Sequence, residues 1–240
     1  MMKDLFGKAI LDYQTNNDPQ DLLTETSISE SDEMSVAYLF RSYAEMPELE
    51  RKALDLSKGK VLDVGCGAGS HSLYLQTERK IDVTAIDISA NAVEACRLRG
   101  IKKARNINVM NIMDEQYDTI LLLMNGAGMC GRLKSLGTFL QKLKSLLTDE
   151  GQILVDSSDI IYMFDEDDDG GKWIPSDNEY YGEVEFKISY KGETDKPFEW
   201  MYVDYNTLQN AAIDCGLRCD LIVEGKHYDY LARISKSLSK

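Results

Sequence analysis

The sequence predicts an α/β fold: a doubly wound, seven-stranded, mostly parallel sheet with an antiparallel last strand, an N-terminal helical lid and an inserted β-hairpin. Three observations predict it. Short apolar runs alternate with helix-period segments from Lys60 to Ser158, and such alternation implies right-handed crossovers with helices on both sheet faces. The first run, Val61-Leu62-Asp63-Val64, meets glycines at 65, 67 and 69, the punctuation of a strand turning sharply into a helix. After Ser158 the alternation breaks into aromatic, β-period segments.

Residues 1–58 read as helices and make up the lid. Ser31 caps a helix running to Tyr43, with Asp32 and Glu33 in its first turn, where a helix N-terminus favours negative charge. Pro47 opens another helix, since its missing N–H costs nothing at that position. Residues 61–64 and 81–86 are the first two strands, and Ser89 to Arg99 is a helix closed by Gly100. Segments near 104–110 and 117–124 supply two more strands. Leu133, Leu136, Leu140, Leu143 and Leu147 recur at three- and four-residue steps, marking an amphipathic helix. Gly151 ends it, and Ile153-Leu154-Val155 is the fifth strand. Within an insertion over 159–206, residues 183–190 and 198–204 alternate as an antiparallel pair. Thr207 to Cys215 is helical, and 217–223 with 228–234 close the chain as a hairpin around Gly225-Lys226.

A chain of 240 residues suits one domain with elaborations, and 43% hydrophobic residues suffice for its core. The net charge of −14 repels phosphate backbones and anionic lipid, so no nucleic-acid partner is expected. Five scattered cysteines, Cys66, Cys96, Cys130, Cys215 and Cys219, fit free thiols in a reducing compartment better than a disulfide framework. Cys215 and Cys219 lack a second Cys/His pair at ligand spacing, and no metal is expected. The first residues carry no apolar signal run. The longest apolar stretch, 120–124, is too short to cross a bilayer. The expected location is cytoplasmic.

The chemistry concentrates in Val61-Leu62-Asp63-Val64-Gly65-Cys66-Gly67-Ala68-Gly69-Ser70-His71. Glycines there let the backbone approach a ligand closely, beside a helix N-terminus at the open end of a sheet. Downstream, Ile86-Asp87-Ile88-Ser89 puts a carboxylate at the tip of the second strand, where it can accept both hydroxyls of a ribose. Each glycine alone is an ordinary turn; the whole set is not. A dinucleotide site wants G-x-G-x-x-G under a pyrophosphate, whereas this spacing is G-x-G-x-G with Ser at 70. Asp63, two residues before the first glycine, would repel a pyrophosphate and suits a ligand carrying an ammonium and a sulfonium. That charge logic favours S-adenosylmethionine over NAD. Two alternatives stand beside it, an NAD(P)-dependent oxidoreductase and a non-catalytic binder of the same cofactor.

Over residues 59–158, with the closing strands in outline, the chain resembles the class I S-adenosylmethionine-dependent methyltransferases, of the small-molecule type often called UbiE-like, whose fold is Rossmann-like. The resemblance makes residues 59–240 the methyltransferase domain, with S-adenosyl-L-homocysteine as product and a small-molecule acceptor. It places the methionine part of the cofactor at Asp63, Gly65, Cys66, Gly67 and Gly69, the ribose at Asp87 and the adenine against Ile88. Asn111, with Ile112 beside it, stands where the family usually has an acid facing the adenine amino group; an Asn carbonyl can still accept that bond. Tyr117-Asp118-Thr119-Ile120 resembles the entry to the family's fourth strand.

Met124 and Asn125 follow that strand and face the reactive side, or form a plain strand-to-helix turn. Tyr38 and Arg41 lie on the lid, where related enzymes often meet the cofactor carboxylate; a solvated surface helix is the other reading. No fixed catalytic residue follows, and the candidates are His71, Asn125, Asp156 and Asp159. An unperturbed imidazole changes charge near neutrality and so could shuttle a proton, but His71 stands on a helix turn where a half-exposed, inert position is expected. The acidic run 165–169 reads as a solvated loop. Eleven of the chain's 21 aromatic residues lie between Tyr162 and Tyr205, most of them expected to pack the ribbon and a few to wall an acceptor pocket.

Overall fold

The computed structural model describes residues 3–167, 171–174 and 179–237. Its N-terminal part holds helix α1 (Leu5–Thr15), a hairpin of strands β1 (Leu22–Thr26) and β2 (Ser29–Met34), two 3-10 turns at Val36–Phe40 and Tyr43–Glu45, and helix α2 (Glu48–Leu56). The alternating core follows: β3 (Lys60–Val64), α3 (Ser70–Thr77), β4 (Asp82–Asp87), α4 (Ala90–Leu98), β5 (Ala104–Asn106), β6 (Tyr117–Leu122), α5 (Leu133–Ser145) and β7 (Leu147–Ser158). The insertion contributes β8 (Glu183–Tyr190), β9 (Glu193–Thr194) and β10 (Phe198–Met201), and the chain closes with α6 (Tyr205–Asp214), β11 (Leu217–Glu224) and β12 (Asp229–Lys236).

The main sheet has seven strands in the order β11-β12-β7-β6-β3-β4-β5. Strands β3 to β7 pair in parallel, and β12 runs antiparallel to both β7 and β11. Four of the five residues of β3 are buried, as a strand covered on both faces requires. One layer of core lies between the sheet and α5 and α6, built on Leu62, Ile120, Leu140, Leu143 and Leu208. The other lies under α2 and α3, with Leu49, Leu54, Leu75, Leu121 and Leu154. Strand order reverses between β3 and β6, so a crevice opens at the carboxyl ends of those two strands.

Helix caps follow the sequence. The Ser89 hydroxyl accepts the Ala92 N–H at 2.9 Å to start α4, and Asp204 accepts the Thr207 N–H at 3.0 Å to start α6. Gly151 does not end α5, which stops at Ser145 with Leu146 as its cap. It lies inside β7, where a Cβ would stand 2.9 Å from the Tyr117 carbonyl oxygen. The glycine serves a close strand-to-strand approach at a register shift between β6 and β7.

Residues 1–58 are not uniformly helical. The stretch expected as a helix from Ser31 to Tyr43 begins as edge strand β2, exposed at every residue from Ser29 to Glu33. A polar edge strand has no apolar alternation to reveal it, and edge charges are what keep such a strand from pairing further. The inserted hairpin is likewise not alone. Strand β1 pairs with β8 through Leu23↔Ser189 to Thr26↔Phe186, giving an antiparallel sheet β10-β8-β1-β2 with β9 added to β8. The N-terminal hairpin and the insertion therefore share one sheet. Asp168 and Asp169 of the acidic run lie outside the described residues; Glu166, earlier in the run, pairs with Lys172 at 2.8 Å.

Helix α1 joins this second sheet to the core. Leu5 and Ala9 pack on Leu22, Ile188 and Tyr190, while Ile10 packs on Ala68, Ala92 and Ala95. The buried Asp195 carboxylate accepts the N–H groups of Lys3 at 2.6 Å and Leu5 at 3.0 Å, and Asp12 accepts from Tyr190 and Lys191. At the core side the Asp4 carboxylate accepts from Ser89 and Asn91, each at 2.9 Å. Removing the helix-capping acceptor by Asp195→Ala is expected to cost about 1–2 kcal/mol. Hydrogen exchange should then quicken in α1 and stay unchanged in β3 and β6.

Candidate cofactor and acceptor site

The loop after β3 is held by the end of β4. The N–H groups of Gly65 and Cys66 donate to the Ile86 carbonyl at 2.9 and 3.0 Å, and the Gly67 N–H donates to Asp87 Oδ2 at 2.9 Å. The other oxygen of Asp87 accepts the Ser89 N–H at 2.8 Å. Burial pushes the Asp87 carboxyl up from its ordinary value against those two N–H bonds, and the nearby Asp4 and Asp63 push it further. Gly65 and Gly67 have φ of +70° and +52°, and a Cβ on Gly67 would meet nothing nearer than Ile10 Cδ1 at 3.9 Å. An open cradle of this kind admits a ligand's backbone approach. Gly69 differs: a Cβ there would lie 2.3 Å from Ile101 Cδ1 and 2.7 Å from Cys96 Sγ, so this glycine serves helix packing.

Asp63 is buried beneath the loop and accepts the Ser72 hydroxyl at 2.6 Å. The Cys66 side chain turns inward, its Sγ 3.7 Å from that of Cys96, and only its backbone faces the cradle. Ile88 is 68% exposed at the tip of β4. Asn111 stands exposed at the end of a 3-10 turn over Val109–Asn111, while the side chains of Val109 and Ile112 are buried in the core.

At the end of β6, Met124 and Asn125 take φ of +60° and +59°, a strained pair for residues other than glycine. The Asp156 carboxylate at the end of β7 clamps both, accepting the Met124 N–H at 3.1 Å and the Asn125 N–H at 2.7 Å. Burial pushes the Asp156 carboxyl up to about 6 despite these bonds. The Asn125 side chain is spent as well, donating to the Met201 carbonyl at 3.2 Å and accepting from Ser157 at 2.6 Å. Asp159 accepts from the Ile161 N–H and the Tyr181 hydroxyl, both at 2.9 Å. A Cβ on Gly128 would stand 2.3 Å from Trp200 Nε1, so β10 of the second sheet seats directly on the turn after β6.

His71 is not a half-exposed helix position. It is 8% exposed, and its Nε2 lies 2.6 Å from Glu50 Oε2. Arg41 Nη2 bonds both oxygens of the same carboxylate. Burial alone would raise the Glu50 carboxyl, and the bonds from His71 and Arg41 outweigh it and hold the group below the usual range. Sequence reasoning missed Glu50, whose only signal is its place in the first turn of α2. Arg41 is buried, not a solvated surface residue; it donates to the Tyr38 carbonyl at 2.6 Å and lies 4.0 Å over the Tyr38 ring. Its Nε is the one buried side-chain nitrogen or oxygen without a partner among the described residues. A cavity of about 390 Å³ opens against Tyr38 and Arg41, walled by Tyr13, Phe40 and Glu45. Most insertion aromatics pack on one another, as Phe186 does on Phe198 and Phe198 on Trp200. Tyr162 and Tyr228 instead stack with ring centres 4.8 Å apart and stay exposed.

A methyltransferase-domain family model matches residues 55–209. A crystal structure of an S-adenosylmethionine-dependent methyltransferase from Bacteroides fragilis, in complex with S-adenosyl-L-homocysteine, is 45% identical in sequence. It superposes with a TM-score of 0.90, over 98% of this chain and 96% of that one. A second S-adenosylmethionine-dependent methyltransferase, from Clostridium acetobutylicum, shares the fold at 15% identity and a TM-score of 0.58, covering 80% of this chain and 93% of that one. Ribosomal RNA small subunit methyltransferase C of Escherichia coli is 57% identical over 42 residues, a stretch that spans 17% of this chain and 12% of the relative. Among the described residues no helix is long and apolar enough to cross a membrane. With the open cradle, the carboxylate at the second strand tip and these likenesses together, the nicotinamide reading falls away, and the chain belongs to the S-adenosylmethionine-dependent methyltransferases.

Proposed function

We propose that this protein transfers a methyl group from S-adenosylmethionine to a small-molecule acceptor in the cytoplasm. The observation that carries the reading is the pair of left-handed glycines, 65 and 67, tied to Ile86 and Asp87 with the space above Gly67 open. Beside that cradle stand the buried Asp63, suited to an ammonium, and Arg41, whose Nε is unpartnered and suited to a carboxylate. Gly65, Cys66 and Gly67 would hold the methionine part through their backbone, with Tyr38 and Arg41 at its carboxylate. Asp87 would accept the ribose hydroxyls with its remaining lone pairs, Ile88 would pack on the adenine, and Asn111, next to the backbone of Ile112, would meet its amino group. A small acceptor is supported by the second sheet, which seats Trp200 on the Gly128 turn after β6.

The bound cofactor supplies a methyl carbon already activated by its sulfonium. The protein's own part is orientation and exclusion of water, and near-attack positioning is worth roughly 7–11 kcal/mol of barrier. Met124 and Asn125 would set the position of the acceptor wall, and Asp156 would keep their strained turn from relaxing. Asn125 and Asp159 serve this wall through the bonds they already make.

Calorimetric titration with S-adenosyl-L-homocysteine tests the reading: the wild type should bind. Asp87→Ala and Gly67→Val should each weaken binding about tenfold or more while circular dichroism stays native. Unaltered affinity in both variants would remove the assignment. Asp156 adds a pH signature. Its carboxyl is raised from 3.8 to about 6 by folding, so the native state holds the proton more tightly than the unfolded chain. The stability this contributes is full below about pH 4 and is lost as pH rises through about 6, on the order of 3 kcal/mol. Urea unfolding of the wild type and Asp156→Asn should therefore differ in pH slope across that window.

A further inference from the structure

Of the four candidate side chains near the acceptor, the Asn125 amide is no base, and the Asp156 and Asp159 carboxylates already hold backbone and hydroxyl donors of the acceptor wall. Both oxygens of Asp156 hold the Met124–Asn125 turn, the Asn125 amide bridges Met201 and Ser157, and Asp159 holds Ile161 and Tyr181. His71 is different. Its Nε2 is fixed on Glu50, whereas its Nδ1 has no hydrogen-bond partner among the described residues and is not sealed from solvent, since Arg41 Nε is the only buried unpartnered side-chain atom there. An imidazole oriented through one nitrogen by a carboxylate, with the other nitrogen open, has the arrangement of a general base whose imidazolium the carboxylate stabilises. The fold puts it in reach of the crevice: His71 is the second residue of α3, directly after the glycine loop, and Glu50 lies in the first turn of α2. His71 and Asp156, at the end of β7, feel each other's charge.

Resting on the methyl-transfer reading above, we propose that His71 is a catalytic base for acceptors that must lose a proton, a hydroxyl or a protonated amine, with Glu50 and Arg41 as its positioning residues. With a hydroxyl, the acceptor's proton passes to His71 Nδ1 as the oxygen–methyl bond forms and the carbon–sulfur bond breaks. A protonated amine has no free electron pair, so it first gives its proton to Nδ1 and its lone pair then attacks the methyl carbon. In both cases the proton later leaves to solvent. The electron pair of the broken bond stays on sulfur. No oxidant or reductant is needed. Glu50 carries the counter-charge for the imidazolium, and Arg41 keeps Glu50 ionised and fixed by bonding both its oxygens.

The test needs no acceptor. Sinefungin carries an amine where the cofactor carries its methyl sulfonium, so the ratio of its affinity to that of S-adenosyl-L-homocysteine reports the charge facing the methyl position. Any effect on the shared carboxylate tail cancels in that ratio. In the wild type the ratio should fall about tenfold between about pH 8 and about pH 5.5, because a proton held beside the methyl position repels the ammonium. The charged groups around His71 are Glu50 on α2, which it touches, Arg41, which holds Glu50, and Asp156 on β7. Of these, Asp156 titrates in the same range and in the same sense. His71→Gln isolates it: the slope left in that variant belongs to Asp156, and the difference from wild type belongs to His71. Glu50→Gln, which keeps an acceptor for His71 but loses the charge, should move the wild-type transition down by about one pH unit. Equal slopes in wild type and His71→Gln, or the two ligands weakening together at a constant ratio, would assign His71 to the carboxylate tail and overturn the proposal. Failure of the wild type to bind S-adenosyl-L-homocysteine at all would instead overturn the methyl-transfer reading beneath it.

Discussion

Three consecutive N–H groups, those of Gly65, Cys66 and Gly67, find their acceptors on the last two residues of β4, the Ile86 carbonyl and the Asp87 side chain. The rest of the site hangs on this transfer. A parallel strand pair normally ends its ladder where the first strand turns, leaving the turn's N–H groups to water. Here the second strand reaches past its own end with a carboxylate and holds the loop in a left-handed course that only glycine follows without strain. The same carboxylate caps the turn into α4 through the Ser89 N–H. One side chain thus sets the cradle, the strand tip and the neighbouring helix start against one another.

The crevice also gathers six charged or titratable side chains taken largely out of water. Asp63, Asp87, Asp156, Glu50, Arg41 and His71 all lie buried or nearly so around the carboxyl ends of the strands. Each is tolerated because a backbone N–H, a hydroxyl or an opposite charge answers it, and a buried ion cluster missing one member is far costlier than the intact set. Four of the six are carboxylates, which makes the crevice a place for cationic groups and a poor one for a diphosphate. The electrostatics of the fold and the choice of cofactor agree at this level.

Much of this was legible in the sequence where the determinants are local. The run from Val61 to Ser89 gave its strands, its turn, its acid and its helix cap, because each is set by residues within a few positions of one another. The N-terminal hairpin was not legible. Ser29 to Met34 is a solvated edge whose only order comes from pairing with β1, and its Ser-Asp-Glu pattern imitates a helix start. Gly151 misled in the same way: a glycine after an amphipathic helix reads as its stop, while its real reason is a close approach to the Tyr117 carbonyl on another strand. The site shows the same division. Glycines and Asp87 announced themselves by spacing, but the burial of His71 depends on Glu50 from a separate helix, and no spacing rule joins them.

The second sheet is assembled from chain segments that are far apart in synthesis. The Lys187–Glu25 ion pair across β8 and β1 spans 162 residues, and Asp195 caps a helix that begins at Leu5. Such contacts close large loops and form slowly. On a ribosome the β1–β2 hairpin has no β8 to join until most of the chain has emerged, while β3 to β7 can already pair among themselves. The parallel core is thus free to take shape first, and the second sheet arrives only at the end, once both its halves exist.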